Sequence, residues 1–280
     1  MHYGVVMTSG DAAAVAELAQ AAERSGWDAI FTWEPVWGID AWVCLTAAAM
    51  RTSTIRLGTM LTPLPRRKPW DVATTTATLD RLSGGRVILS VGLGALHEGW
   101  TAFERDEGRR TRAEQLDEGL DVLFGLWRGQ PFSYRGKHFP VQPTTFMVPP
   151  PPVQQPRITT WCVGLAGSRR SMARAARCDG LLPNFRGDGG RVAEGAHPLA
   201  RWEQAVTEIR GLRTELGLTG PYDVVYEAAT DWADPAAARQ LVRDVQGIGA
   251  TWYLDADWSA ATGDPIAALR ERIEHGPPRI

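Results

Sequence analysis

The chain has 280 residues, of which 44% are hydrophobic and 22% charged, and its formal net charge is −2. A balance so close to neutral provides no basic field for nucleic acid or for an anionic membrane surface. No apolar run approaches the roughly 18 residues of a membrane span, and the start, MHYGVVMTSGD, lacks the basic and apolar regions of a signal peptide. We therefore expect a cytoplasmic globular protein.

Strand and helix patterns alternate along the chain. An apolar run predicts a first strand at 3–7, Asp11 predicts the start of a helix with apolar residues at helical spacing, and Gly26 predicts its end. Seven further strands are predicted at 28–33, 55–61, 86–92, 157–163, 179–183, 222–229 and 250–255. The other helices are predicted at about 41–51, 70–82, 110–128, 168–177, 199–216, 234–248 and 264–274.

Eight strands alternating with eight helices predict an α/β fold, a (β/α)8 TIM barrel formed by one domain over residues 1–280. The runs VILSV and ITTWCV are apolar on both faces, as expected for parallel strands buried between a core and a helix layer. An open doubly wound sheet is the alternative, but its early glycine-rich fingerprint is missing. Between about 130 and 155 the alternation lapses, which predicts an insertion after strand four with a small hairpin and a proline-rich extended arm.

The three cysteines, Cys44, Cys162 and Cys178, are widely spaced and lie in no CxxC motif. They predict buried free thiols in a reducing compartment, not disulfides or a metal site. The chain also contains 12 tryptophans, and so many large flat side chains suit a pocket for an aromatic ligand.

In a TIM barrel the active site lies in the loops that follow the strands. After strand five, Gly164 and Gly167 lead into Ser168 at the start of a helix, followed by Arg169. Glycines let backbone N–H groups approach a ligand, the helix N-terminus favours a phosphate, and Ser168 and Arg169 can contribute a hydroxyl and a charge. The alternative is an ordinary turn in which Ser168 only caps the helix.

Strand four ends in a second glycine pair, Gly92 and Gly94, which is a weak signal for a ligand because it also permits tight packing. His97 and Glu98 follow this pair. They form either a catalytic or ligand-binding pair or part of a solvated loop.

One carboxylate, Glu34, lies between Trp33 and Trp37 after strand two. Apolar neighbours can raise the pKa of a carboxyl group into the range needed for proton transfer. The alternative is a structural carboxylate that accepts backbone N–H groups in a turn.

After strand three the sequence reads GTMLTPLPRRKPW. Prolines at 63, 65 and 69 predict that the strand ends in an exposed, stiff and doubly basic loop. Arg66 and Arg67 can bind an anionic substrate or cofactor tail, although exposed arginine pairs are more often only solvated.

The run RLGTMLTPLPRRKPWDVATTTATLDRLSGGRVILSVGLG resembles the bacterial-luciferase-like family of flavin- and deazaflavin-dependent oxidoreductases and monooxygenases. The shared features come in order: an LGT strand end, a proline-rich basic loop, a helix reaching LDRLSGGR and a strand closing in GxG. ERDEGRRTRAEQLDEGLDVLFGLW, PFSYRGKHFPV and PPPPVQQPRITTWCVGLAGSRRSMARAARCDGLLP resemble the units that follow. The resemblance covers about residues 3–185.

The resemblance implies that strand three ends at a backbone bulge, sometimes with a non-proline cis peptide, that backs the flavin ring. The expected cofactor-binding residues are Thr59, Met60, Leu61, Gly92, Gly94, Gly164, Ala166, Gly167, Ser168 and Arg169. Many members carry an Asp-His pair after strand two, but this chain has Glu34-Pro35 there. Glu34 and His97 are therefore the candidate catalytic residues.

The leading hypothesis is an FMN-dependent monooxygenase acting on a small organic substrate, with a flavin reductase as a possible source of reduced FMN. The alternatives are a hydride-transfer enzyme that uses the deazaflavin coenzyme F420 and a non-catalytic flavin-binding protein. We also expect a homo-oligomer, a dimer, and no metal. The candidate substrate-binding residues are Trp33, Trp37, Arg66, Asn184 and Phe185.

Residues 184–198 contain glycines at 187, 189 and 190 between strand six and helix six. A segment of this composition is either a lid that closes over the substrate or a plain surface loop.

Overall fold

The structure, a computed structural model, describes residues 1–96, 99–129, 131–144, 149–187, 198–259 and 263–280. The strands are β1 (His2–Met7), β2 (Ala29–Thr32), β3 (Arg56–Thr59), β4 (Thr62–Pro63), β5 (Val87–Gly92), β6 (Phe132–Tyr134), β7 (Val141–Thr144), β8 (Thr159–Leu165), β9 (Gly180–Asn184), β10 (Asp223–Ala228) and β11 (Trp252–Asp255). The helices are α1 (Ala12–Arg24), α2 (Ala41–Ala49), α3 (Pro69–Ser83), α4 (Arg109–Leu126), α5 (Arg169–Ala176), α6 (Leu199–Glu215), α7 (Pro235–Ile248) and α8 (Pro265–Glu274).

The parallel strands form a closed barrel. Their order is β3-β2-β1-β11-β10-β9-β8-β5, and pairing between β3 and β5 closes the ring. Each helix follows a barrel strand, so the predicted (β/α)8 architecture is confirmed. The predicted element bounds agree with the structure to within about two residues at most ends.

Local capping explains why the helices begin where they do. The carboxylates of Asp11, Asp40, Asp234 and Asp264 accept N–H groups in the first turns of α1, α2, α7 and α8. Such caps satisfy donors that have no partner inside the helix. At the other end of α3, Gly84 adopts φ of 69°, a left-handed conformation that glycine reaches without strain.

The predicted insertion after the fourth barrel strand contains an antiparallel hairpin of β6 and β7. Phe132 of this hairpin fits against Gly125 of α4, where an added Cβ would lie 2.0 Å from the Phe132 ring. The carboxylate of Glu118 on α4 accepts the backbone N–H groups of His138 and Phe139 at 2.8 and 3.0 Å. These contacts hold the hairpin against the outside of the barrel.

The end of the third barrel strand differs from the sequence-based expectation. Strand β3 stops at Thr59, the Met60–Leu61 peptide is cis, and Thr62 and Pro63 form a second short strand beside β5. Residues 62–64 are buried, so the prediction of a loop exposed throughout is wrong for its first half. Pro63 is tolerated because β4 pairs on one side only, and Pro69 occupies the first turn of α3, where its missing N–H costs nothing.

An aromatic layer fills the barrel interior. Phe31 stacks on Trp161 at 5.3 Å between ring centroids, and Trp161 lies 5.1 Å from Trp252. A Cβ on Gly58 would lie 2.4 Å from the Phe31 ring, and one on Gly4 would lie 2.8 Å from it. Both glycines therefore leave the space that the Phe31 ring occupies.

Other expectations concern cysteines, membrane spans and metals. Cys44, Cys162 and Cys178 are buried and unpaired, as predicted. No helix in the described part of the chain is long and apolar enough to cross a bilayer. Among the same residues, no group of three His, Cys, Asp or Glu side chains is placed to hold a metal ion.

We expect Gly58→Ala to lower the free energy of unfolding by about 1–3 kcal/mol, because the added methyl group overlaps the Phe31 ring in a closely packed interior. The matched control is Gly211→Ala on the exposed side of α6, where nothing lies within 4 Å of the added Cβ. That change should stabilise the protein by about 0.5–1 kcal/mol, since alanine favours a helix. Urea unfolding followed by circular dichroism measures both, and equal effects of the two variants would contradict the packing argument.

Candidate active site

Strand alternation determines which side chains reach the mouth of the barrel. Successive residues of a strand point to opposite faces, so each barrel strand sends every second side chain inward. Met60 and Val163 contact the interior cluster from above at the carboxyl ends of their strands. On β9, Leu182 faces the interior. Asn184 lies two residues later on the same strand and therefore also faces inward, at the mouth. These side chains form the polar and apolar floor of the candidate site.

The residues around the cis peptide form the barrel wall. Thr59 is fully buried, and its hydroxyl lies 3.0 Å from the hydroxyl of Thr62. A Cβ on Gly92 would lie 3.0 Å from the Leu61 side chain. Gly94 has φ of 77°, and a Cβ there would lie 3.0 Å from Pro63. Close packing against this segment therefore accounts for both glycines of the GxG sequence without a ligand.

Glu34 lies between the strand ends and helix α2. Its Oε2 accepts hydrogen bonds from Trp42 Nε1 at 3.1 Å and from Thr62 Oγ1 at 2.8 Å, and its Oε1 lies 3.0 Å from Arg67 Nη1. The predicted burial is present, and the indole N–H that donates to the carboxylate belongs to Trp42 of α2. The contacts make Glu34 a link between β2, α2 and the basic loop.

Two opposing effects act on Glu34. Burial raises the pKa of this carboxyl group above its ordinary value, although the Arg67 guanidinium and the hydrogen bonds from Thr62 and Trp42 lower it. Burial is the largest effect, because it disfavours the ionised form. Both oxygens of the Glu34 carboxylate therefore have polar partners among the described residues.

Arg66 takes part in a stacked cluster beside the loop after β5. Its guanidinium carbon lies 5.1 Å from the centre of the Trp100 ring, and that of Arg112 lies 5.7 Å from the same ring. The buried Nε of Arg66 and Nε1 of Trp100 have no hydrogen-bond partner in the described part of the chain. Arg66 also lies 3.7 Å from Glu104. A cavity of about 200 Å³ borders these side chains.

The two glycines of the turn after β8 have different surroundings. A Cβ on Gly164 would lie 2.3 Å from Leu181 and 2.8 Å from Met172, so packing between β8, β9 and α5 requires this glycine. Gly167 has φ of 75° and open space around it, and its N–H donates to Glu208 Oε2 at 2.9 Å. Helix α5 then begins after Ser168, whose side chain makes no capping hydrogen bond.

The remaining residues of this turn are also placed. The N–H of Ala166 donates to the Asn184 carbonyl at 2.9 Å and joins the β8 and β9 loops. Arg169 forms an ion pair with Glu215 at the end of α6. The first N–H groups of α5 have no partner inside the helix and remain able to bind an anion.

The candidate substrate residues are spread over different environments. Trp33 is partly buried at the end of β2, whereas Trp37 is 80% exposed. Phe185 is buried and packs edge-on against Trp202 of α6 at 5.1 Å. His97 and residues 188–197, most of the expected lid, lie outside the described residues.

Sequence reasoning missed several polar side chains of this end of the barrel. The missed side chains include those of Arg112, Trp100 and Glu208. They lie in helices or loops, where the spacing of residues in the sequence does not indicate a ligand-binding role. Glu227 lies within the strand DVVYEA. The alternation of side chains along a strand places it on the same inward face as Val225, and this pattern could have identified it from the sequence.

A larger cavity of about 390 Å³ lies at the opposite end of the barrel, where the strands begin. There Arg56 donates to the Thr159 hydroxyl at 3.1 Å, and Trp161 donates to Asp223 at 3.0 Å. Polar groups at the amino ends of barrel strands contribute to stability, whereas catalysis occurs at the carboxyl ends. We therefore place the active site at the mouth described above.

A closed parallel barrel with charged and polar side chains around its carboxyl end is the arrangement of a TIM-barrel enzyme. The sequence model of the family described as luciferase-like monooxygenase matches residues 2–243. The chain belongs to this family.

Individual relatives support the same assignment. A putative coenzyme F420-dependent oxidoreductase of Mycobacterium tuberculosis is 34% identical over 181 residues, which cover 61% of this chain and 50% of that relative. The match thus spans half the length of the relative.

Solved structures show the fold. A monooxygenase from Streptomyces bottropensis matches with a TM-score of 0.78, and a coenzyme F420-dependent tetrahydromethanopterin reductase from Methanopyrus kandleri matches with 0.74. Both are 18% identical in sequence, and each match covers 98% of both chains.

We expect Glu34→Gln to destabilise the protein by about 1–3 kcal/mol, because it removes the charge that Arg67 contacts while leaving the guanidinium in place. The control is Glu274→Gln at the exposed end of α8, which should change little. Thermal unfolding compares the two. A Glu34→Gln protein that keeps its stability but loses turnover would instead support the catalytic role that the sequence suggests.

Proposed function

We propose that the protein transfers hydride between the deazaflavin coenzyme F420 and a small organic substrate bound at the mouth of the barrel. The observation that carries this choice of cofactor is the buried Nε of Arg66, which has no partner among the described residues. The guanidinium contacts the Glu104 carboxylate only at 3.7 Å, and its N–H groups still favour an anionic group. The similarity to a putative F420-dependent oxidoreductase supports the same choice.

The residues of the mouth fit a ring cofactor with an anionic tail. Met60 and Val163 offer an apolar surface, and Asn184 offers an amide beside it. The open turn at Gly167 and the start of α5 suit a phosphate, and Arg66 and Arg112 lie near the loop after β5. When bound, F420 would supply or accept the hydride, and these side chains would orient it.

FMN-dependent monooxygenation is the second candidate. It is favoured by the apolar surface of Met60 and Val163, because exclusion of water protects reactive intermediates in oxygen chemistry. A flavin reductase would then provide reduced FMN. We propose this partner and a homodimer together with this second candidate.

Fluorescence titration with purified F420 and with FMN tests the cofactor directly. We expect F420 to bind more tightly, and we expect Arg66→Met to weaken F420 binding by about tenfold or more, which corresponds to about 1.4 kcal/mol of charge-assisted bonding. FMN binding should change less, because its anionic tail is shorter.

The control for this experiment is Arg51→Met, since Arg51 is exposed at the end of α2, away from the mouth. An equal loss of affinity for both cofactors would contradict the assignment of Arg66 to the tail. Failure of wild-type protein to bind either cofactor would refute both candidate functions.

The proposed phosphate site gives a separate prediction. The Glu208 carboxylate accepts the Gly167 N–H and therefore places a negative charge where a phosphate would bind. We expect Glu208→Gln to tighten cofactor binding by about three- to tenfold at low salt, and less at high salt, because screening weakens the repulsion.

The control is Glu203→Gln, an identical change on the exposed face of the same helix. Titrations at two salt concentrations measure both variants. Unchanged or weaker binding by Glu208→Gln would mean that the phosphate binds away from Gly167.

A further inference from the structure

Glu227 faces the inside of the barrel near its mouth. In the parallel pairing of β10 with β11, Val225 lies beside Trp252 and Glu227 lies beside Leu254. Trp252, Leu254 and Val225 all belong to the interior cluster. Because side chains alternate along a strand, Glu227 points inward one level above Val225, toward the carboxyl end.

The lower end of the same strand supports this orientation. Asp223, two residues before Val225, accepts a hydrogen bond from Trp161, which is itself an interior residue. Residues 223, 225 and 227 thus share one face. The carboxylate of Asp223 lies at the amino end of the barrel and that of Glu227 at the carboxyl end, where the candidate site is.

The surroundings of Glu227 are sparse in polar partners. Trp258 Nε1 donates to Glu227 Oε1 at 2.6 Å, and the described residues provide no further hydrogen bond to this carboxyl group. Burial raises the pKa of Glu227, and the hydrogen bond from Trp258 lowers it by a smaller amount. Within the part of the chain that the structure describes, no charged side chain contributes to the shift. Glu227 is only partly buried, so a ligand in the mouth can reach it.

The other described carboxylates near these strand ends have partners. Glu34 contacts Arg67, as described above. Asp255 lies 2.6 Å from Arg272 and accepts the Thr230 N–H at 2.8 Å. Asp257 lies 3.3 Å from the same arginine. Glu227 is the described carboxyl group of this end that faces inward without a cation.

We propose that Glu227 is the acid–base residue that exchanges a proton with the substrate at the mouth of the barrel. The inference rests on the proposed oxidoreductase function and adds to it the group that handles the proton. With a carbonyl compound as the substrate, hydride transfer to the carbonyl carbon requires a proton at the oxygen, and Glu227 would supply it.

The step balances in both directions. In reduction, the carbonyl carbon receives a hydride from the reduced cofactor while the carbonyl oxygen receives the proton of the Glu227 carboxyl group. The hydride-donating C–H bond of the reduced cofactor, the C=O π bond and the Glu227 O–H bond would break, and new C–H and O–H bonds would form on the substrate. In oxidation of an alcohol, the Glu227 carboxylate takes the hydroxyl proton and the oxidised cofactor takes the hydride.

The surroundings of Glu227 suit both protonation states. The neutral acid is favoured by the partly apolar barrel interior, so a proton is held at the mouth above the pH at which a solvated glutamate would lose it. After the proton leaves, the Trp258 N–H remains bonded to the carboxylate. Trp258 is thus a positioning residue that stabilises the ionised form.

The first test needs no cofactor. A group whose pKa is raised in the folded state stabilises the protein fully below its unfolded pKa, and this contribution is lost as pH rises through the folded pKa. Glutamine does not titrate, so the Glu227→Gln protein does not lose this stability as the pH rises. The melting temperature of Glu227→Gln minus that of wild type should therefore increase by about 2 °C or more between pH 4 and pH 7.5.

The exposed Glu203→Gln variant is the control, and its difference from wild type should stay flat over the same range. Glu34 is present in every protein compared, so its own titration cancels. A flat difference for Glu227→Gln would show an ordinary, solvated carboxyl group and would overturn the proposal.

The second test uses the cofactor. F420 and FMN should bind to Glu227→Gln within about threefold of wild type by fluorescence titration, because the residue is assigned to the proton and not to binding. Calorimetry at pH 7 in two buffers of different ionisation enthalpy should show proton uptake on binding to wild type, since the cofactor would bury Glu227 further. This uptake should be absent in Glu227→Gln.

For each ketone in a panel that includes cyclohexanone, turnover by Glu227→Gln should fall about 100-fold or more with little change in KM. Unchanged turnover or unchanged proton uptake overturns the role of Glu227 and leaves the proposed function standing. If wild type binds neither cofactor, the proposed function fails, and the melting-temperature series still shows whether Glu227 holds a proton.

Discussion

Strand β5 is the constraint on which the geometry of the site depends. Its first half pairs with β3 and closes the barrel, and its last two residues pair with the short strand β4. Between those two partners the chain must step sideways, and residues 60 and 61 make that step. The Met60 side chain consequently reaches the interior cluster, while Thr62 lies beside Glu34 outside the barrel wall. The irregular segment between β3 and β5 thus contributes Met60 to the floor of the mouth and Thr62 to the contacts with Glu34 outside the barrel wall.

Strand alternation also explains the different environments of two acidic residues. Phe31 points inward and Thr32 outward, and Glu34 then contacts α2 and the basic loop. Glu227 lies on an inward-facing series and meets no cation among the described residues. Both carboxyl groups have a raised pKa for the same reason, which is burial. Their chemistry differs because only one of them faces the space that a ligand can enter.

Much of the fold could be predicted from the sequence, because local signals are strong in this chain. Helix caps such as Asp11 and stops such as Gly84 mark element ends, and long apolar runs mark parallel strands. The predicted bulge after β3 came from resemblance to a family, and the structure has a cis peptide there. The burial of Thr62 and Pro63 was missed, since it depends on pairing with β5, which lies about 30 residues further along the chain.

The candidate site was harder to predict, because its contacts join residues distant in sequence. The sequence pointed to Trp33 and Trp37 as the neighbours of Glu34, and the hydrogen bond to its carboxylate comes from Trp42 of the following helix. Gly164 was assigned to a phosphate, whereas Leu181 and Met172 already require a residue without a side chain there. Local sequence shows that a glycine is present but not which neighbour needs it. The packing of neighbouring elements around Gly164 shows whether the glycine is needed for a phosphate or for packing.

The two stacked arginines of the mouth and the carboxyl group of Glu227 lie in different regions. Arg66 and Arg112 stack on Trp100 beside the loop after β5, and Glu227 lies on β10, across the sheet order from that loop. Arg66 and Arg112 also contact the carboxylates of Glu104 and Asp106 at 3.7 and 3.2 Å. Their guanidinium groups suit the anionic tail of a cofactor, and a side with an uncharged acid suits a neutral substrate that needs a proton. If the cations lay beside Glu227, they would lower its pKa and keep it ionised. Separation of the arginines from this carboxyl group therefore allows the same mouth to bind an anion and hold a proton.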